Sequence, residues 1–99
     1  MRLPLLPLFA SAAAAQGVVS ATVYSQPNFE GLLRNVLGFG CVNLDDVGFK
    51  IESIELRRRT FCYAYGKVNC AGTSVYMSRS VGDLWRYLTT ESAHCFDAS

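Results

Sequence analysis

The feature that most constrains this chain is that it nearly repeats itself. When residue n is set against residue n+41, Ala21-Thr-Val-Tyr24 meets Cys62-Tyr-Ala-Tyr65, Asn28 meets Asn69, Gly31 meets Gly72 and Val36 meets Met77. After a one-residue deletion Asn43-Leu44 meets Asp83-Leu84, and after another Glu52-Ser-Ile54 meets Glu91-Ser-Ala93. Each unit reads as a tyrosine, then Phe29 or Cys70, then a glycine, an Asn/Asp-Leu pair and a Glu-Ser pair. Repeats of about 40 residues build solenoids and propellers, but two units are too few for either. Two four-stranded units closing on each other are the economical solution.

The local signals agree. Ala21–Tyr24, Leu32–Val36, Cys41–Leu44, Ile51–Leu56, Phe61–Tyr65 and Thr73–Met77 are short β-prone runs separated by turn-rich stretches such as Gln26-Pro-Asn-Phe-Glu-Gly31. Such spacing predicts an all-β sandwich or barrel. One helical pattern competes: Val81, Leu84, Trp85 and Leu88 fall at i, i+3, i+4 and i+7. It is short, and is read as a helical turn or loop between strands.

The first fifteen residues read as a signal peptide, with a basic Met1-Arg2 start, an apolar run from Leu3 to Ala10 and an Ala13-x-Ala15 cleavage pattern. Residues 16–99 form the expected domain, with eight basic and eight acidic residues. A neutral domain of this size is no multidomain enzyme and no strongly basic nucleic-acid binder, and no apolar run reaches the ~20 residues of a transmembrane helix. Cys41, Cys62, Cys70 and Cys95 all lie in the mature part. An even count in a small secreted chain reads as two disulfides, and with no C-x2-C pair and His94 as the single histidine a zinc site is disfavoured. Spacing alone leaves all three connectivities open. None of Asn28, Asn35, Asn43 and Asn69 begins an N-glycosylation sequon.

Tyr24-Ser-Gln-Pro-Asn-Phe29-Glu-Gly31 with Ser53 resembles a Greek-key motif of the βγ-crystallins, and Tyr65 to Gly72 with Ser92 resembles a second, in which Cys70 stands where Phe29 does. The resemblance covers about 21 to 96, nearly all of the mature chain. It implies an all-β fold of two Greek-key motifs forming a β-sandwich, motif one over about 20–58 and motif two over about 59–97. Gly31 and Gly72 would carry the positive φ of a folded-back hairpin, Tyr24 and Tyr65 would pack over it, and Ser53 and Ser92 would hydrogen-bond its turn. In this family each motif lends its third strand to the other's sheet. That exchange implies the pairs Cys41–Cys95 and Cys62–Cys70.

Many βγ-crystallins bind calcium through Asn/Asp-Asn/Asp-x-x-Ser/Thr-Ser. The matching stretches here, Gly48–Ser53 and Tyr87–Ser92, lack the leading carboxylate or amide pair, so neither calcium nor another cofactor is expected. Asp45-Asp46 reads as a solvated turn. Catalysis has little support: His94 is read as an ordinary, partly exposed strand residue, and there is no nucleophile elbow or phosphate loop. Arg57-Arg58-Arg59 at the junction of the units is read as a solvated linker, with contact to an anionic phospholipid, wall polymer or acidic partner as the functional alternative. Trp85 and Tyr87 are read as core. The expectation is a secreted, monomeric, non-catalytic binding or effector-like protein that meets an extracellular protein, glycan or lipid. Secreted relatives of the fold resemble killer toxins and a metalloproteinase inhibitor, so those two activities stand as alternatives.

Overall fold

The computed structural model describes residues 17–98. The expected signal peptide lies outside them. The β-branched and aromatic runs form seven strands: β1 (Val19–Gln26), β2 (Glu30–Leu37), β3 (Gly40–Asn43), β4 (Ser53–Leu56), β5 (Thr60–Lys67), β6 (Ala71–Met77) and β7 (Ser92–Asp97). They build two antiparallel sheets, one ordered β2-β1-β4 and the other β3-β7-β5-β6. The third strand of unit one has crossed into the sheet of unit two, as the resemblance implied.

The exchange is unequal. β3 pairs with β7 over four residues, Gly40 to Asn43. In the reverse direction the equivalent segment of unit two makes one isolated bridge, Val81 to Ile54, with backbone bonds of 2.9 and 3.0 Å. The helical pattern at 81–88 condenses to one 3-10 turn, Leu84–Arg86, which buries Leu84.

The core follows the repeat. Ala21, Val23, Val36, Leu44 and Ile54 of unit one are buried, as are Cys62, Ala64, Met77, Leu84 and Ala93 of unit two. Residues of both units join in one hydrophobic cluster between the sheets.

Both hairpins fold back as expected. Gly31 and Gly72 have φ of +85° and +81°, which glycine adopts at little steric cost. Ser53 Oγ accepts from the Phe29 amide at 3.0 Å and donates to the Gln26 carbonyl at 2.7 Å. Ser92 repeats this pattern with the Cys70 amide at 2.9 Å and the Lys67 carbonyl at 2.6 Å. Both serines are fully buried, so each hydroxyl satisfies a donor and an acceptor of a turn that water cannot reach.

The disulfides differ from the pairing the resemblance implied. They are Cys41–Cys70 and Cys62–Cys95. The strand exchange itself is intact, and side-chain parity explains the correction. On β7, Cys95 stands opposite Cys62 of β5 and points into the core, with a Cα–Cα distance of 4.0 Å. Cys41 of β3 stands opposite His94, one residue away, and so lies on the other side of the sheet. There the folded hairpin tip brings Cys70 within a Cα–Cα distance of 6.0 Å.

Candidate functional site

The register that sends Cys62, Ala64, Ala93 and Cys95 inward sends the alternate residues outward. On β5 these are Phe61, Tyr63 and Tyr65; on β6, Tyr76; on β7, His94 and Phe96. Their rings touch. Phe61 and Phe96 stack with centroids 5.1 Å apart, His94 stacks on Phe96 at 4.2 Å, and Tyr63 meets Tyr76 at 5.2 Å, Phe96 at 6.1 Å and Tyr65 at 6.3 Å. No aliphatic side chain occupies an outward position of these three strands. Tyr76 is 54% exposed and the other five are half-buried. Three phenol hydroxyls and one imidazole give the surface polar tips over apolar bodies.

The repeat supplies an internal control. Thr22 is paired with Asn35 and Glu55, just as Tyr63 is paired with Tyr76 and His94. In the first sheet these outward positions form a polar network. Thr22 Oγ1 donates to Asn35 Oδ1 at 2.8 Å, Arg57 donates to Thr22 Oγ1 at 2.9 Å and lies 3.6 Å from Glu55, and the Tyr24 hydroxyl donates to Glu55 at 2.9 Å. Burial raises the pKa of the Tyr24 phenol first, then the hydrogen bond to the Glu55 carboxylate and its charge; Arg57 opposes them. The fold therefore does not require rings at these positions.

At the Phe61 end, the ring face runs into an open groove of about 440 Å³ lined by Arg57, Arg58, Arg59, Arg79, Phe61 and Tyr76 among others. The tight turn between β4 and β5, closed by Thr60 N to Arg57 O at 3.2 Å, carries the three consecutive arginines, and Arg59 adopts φ of +58° there. Arg79 arrives from the segment after β6. The Arg57 guanidinium is engaged with Thr22 and Glu55, so Arg58, Arg59 and Arg79, all exposed, are the cations the groove presents. The opposite end of the ring face is closed by the hairpin tip and the Cys41–Cys70 disulfide.

Other positions sort as follows. Trp85 and Tyr87 are 40% and 59% exposed, which corrects their reading as core; Trp85 lies under the Arg86 guanidinium at 5.0 Å. The period of the 3-10 turn buries only Leu84 and leaves its neighbours outward. Asp45 and Asp46 are exposed, and Asp46 meets Arg34 at 3.3 Å. Gly48–Ser53 and Tyr87–Ser92 lead into β4 and β7, and their serines are spent on the hairpin turns. Among the described residues no group of three or more His, Cys, Asp or Glu side chains converges. His94 stacks on a phenylalanine, and its neighbour across the ladder, Cys41, is held in a disulfide.

Sequence reasoning found Arg57–Arg59 and missed the ring face beside them. The signal was present: Phe61-x-Tyr63-x-Tyr65 and His94-x-Phe96 alternate rings with small residues, whereas Thr22-x-Tyr24 does not.

No protein-family model and no curated protein matches the sequence. Solved structures do. A βγ-crystallin domain from Flavobacterium johnsoniae is 21% identical with a TM-score of 0.68, over 79% of this chain and 94% of that one. The N-terminal domain of protein S is 16% identical at a TM-score of 0.67, over 79% and 96%. A βγ-crystallin domain from Clostridium beijerinckii is 14% identical at 0.67, over 79% and 98%. This chain therefore has a βγ-crystallin-like fold, a likeness that speaks to fold and leaves activity to the site.

Proposed function

We propose that this is a secreted, non-catalytic binding protein that recognises an extracellular glycan on the outward face of its second sheet. One observation carries the reading: four repeat-equivalent positions that form a self-satisfied polar network in unit one carry Tyr63, Tyr76, His94 and Phe96 in unit two. Solvent-facing rings, one exposed and the rest half-buried, at positions where the fold accepts polar residues call for a partner.

The shape favours a glycan. Phe61, Tyr63 and Tyr65 lie in line along β5, a row of about 13 Å at the usual strand rise. The outward strand positions of this face carry no aliphatic side chain and are edged by hydroxyls. A chain that alternates C–H faces with hydroxyl groups matches that surface, while a membrane would demand protruding apolar side chains. Two disulfides and the mutual ring contacts hold the platform rigid, which lowers the ordering cost of binding. Two disulfides also fit an oxidising, extracellular setting, and among the described residues no helix is long and apolar enough to cross a membrane.

The test is a glycan array probed with the oxidised mature protein and with Tyr63→Thr/Tyr76→Asn, which transplants the residues of unit one. Binding by the first and loss in the second is the expected result. An array silent to both would overturn the reading. Growth inhibition of yeast or bacteria, or loss of protease activity on mixing, would instead favour the toxin or inhibitor alternatives.

A further inference from the structure

We infer that the arginine groove at the end of the ring face selects an acidic glycan, one bearing sulfate or carboxylate groups, over a neutral one. The inference rests on the glycan reading above and names its ligand class. Phe61 and Tyr76 belong both to the ring face and to the wall of the groove, so the two features form one continuous surface. A linear chain lying along Tyr65, Tyr63 and Phe61 is delivered to Arg58, Arg59 and Arg79 at its end.

The charge balance there favours anions. Three exposed arginines line one groove, and a guanidinium presents a planar fork of donors that matches a sulfate or carboxylate. Asp97, opposite Thr60 in the ladder, is the acidic residue of this end of the sheet, and three cations against one carboxylate leave the groove positive. The residues expected to remain after signal-peptide removal, 16–99, carry eight basic and eight acidic side chains, so attraction to a polyanion comes from this groove and not from a general field. The half-buried Glu91 and the exposed Lys67 lie toward the hairpin end and do not line the groove.

The conformation of the turn supports a built feature. Arg59 sits at φ of +58°, uncommon for arginine, and its carbonyl accepts from the Ala98 amide at 2.7 Å. Ser80 Oγ, on the opposite wall, accepts from the Leu56 amide at 2.9 Å. A backbone bond on one wall and an amide-to-hydroxyl bond on the other thus tie the groove to the sheets, and the arginines need not order a loop on binding.

The experiment is direct binding of three oligosaccharides of equal length: a dextran sulfate fragment, a pectic oligogalacturonide and a neutral dextran fragment. The proteins are the oxidised domain, Arg58→Gln/Arg79→Gln and Tyr63→Thr/Tyr76→Asn, each checked for an unchanged fold by circular dichroism. At least one acidic ligand should bind about tenfold more tightly than the neutral one, as the loss of a charge-assisted hydrogen bond would reverse. The arginine variant should bring the acidic ligands down to the neutral affinity, and added salt should do the same. The sulfate and uronate arms tell which oxyanion is preferred. Equal affinity for acidic and neutral ligands would overturn the groove's role and leave the glycan reading standing. Acidic preference unchanged in the arginine variant would also overturn it. Acidic binding unaffected by the tyrosine variant would uphold the groove and overturn stacking on the rings. Binding to none of the three would overturn both.

Discussion

On the first sheet the outward residues Thr22, Asn35, Glu55 and Arg57 bond to one another; on the second the matching residues Tyr63, Tyr76, His94 and Phe96 touch through their rings. The inward residues differ less in role. Ala21 faces Leu56 across one ladder and Cys62 faces Cys95 across the other, an apolar pair in the first case and a disulfide in the second. Repetition thus holds where the two units must fill a common core and lapses where each meets solvent. The core has one volume to fill and tolerates only compensated changes. The outer faces carry no such joint constraint, so a difference between them reports what each face does.

The comparison breaks most readily at the covalent links, which tie unit two alone or tie it to β3. The bridges span sequence separations of 33 and 29 residues, so the chain-entropy model gives each about 4 kcal/mol. Burial separates them. Cys62→Ala/Cys95→Ala also leaves a void in a fully buried site, whereas Cys41 is exposed. The first double variant should therefore melt lower than the second, by several degrees on top of a loss of ~20 °C common to both. Peptide mapping without reduction should recover 41–70 and 62–95.

The hairpin serines sharpen the comparison. Ser53→Ala removes a donor and an acceptor from a buried turn, for a loss of about 2–3 kcal/mol. Ser92→Ala removes the same pair of bonds, but Cys41–Cys70 still holds that hairpin tip. It should cost less, and the gap should close in the Cys41→Ala/Cys70→Ala background. Equal costs in both backgrounds would show that the disulfide lends the tip no support.

Smaller effects follow at the glycines. Alanine at Gly31 or Gly72 suffers the positive φ at about 1 kcal/mol. At Gly31 its Cβ would also strike Ser25 Oγ, which accepts from the Leu32 amide. At Gly72 it would meet the flexible Lys67 chain at 3.0 Å. Chemical denaturation should rank Gly31→Ala as the more damaging.

The smallest effect is the alkaline behaviour of Tyr24. Its phenol pKa is raised above the ordinary 10.0, so the neutral form is held more firmly folded than unfolded. That contribution is complete below pH 10 and is lost as pH rises through the folded value. Tyr24→Phe should be less stable than the parent by about 1 kcal/mol at pH 8, and the two should converge as pH rises through the raised folded value. A gap that persists beyond it would remove the Tyr24–Glu55 bond as its cause.

The sequence by itself determined the two units, the all-β class and the presence of two bridges, because each rests on local chemistry repeated at a fixed spacing, while the glycine and serine locks of the hairpins came with the βγ-crystallin resemblance. Gly31 and Gly72 could be read as positive-φ positions, and Ser53 and Ser92 as their ties, without knowing which strands pair. The triple arginine was legible as a charge run. Only the tertiary structure decided which cysteine meets which, that Arg79 and two rings join Arg58 and Arg59, and that Trp85 faces out. Those outcomes depend on which side of a strand a residue occupies once its register is set. A shift of one residue exchanges the two faces of a strand, so Cys41 beside His94 cannot reach the Cys95 that neighbours it in sequence.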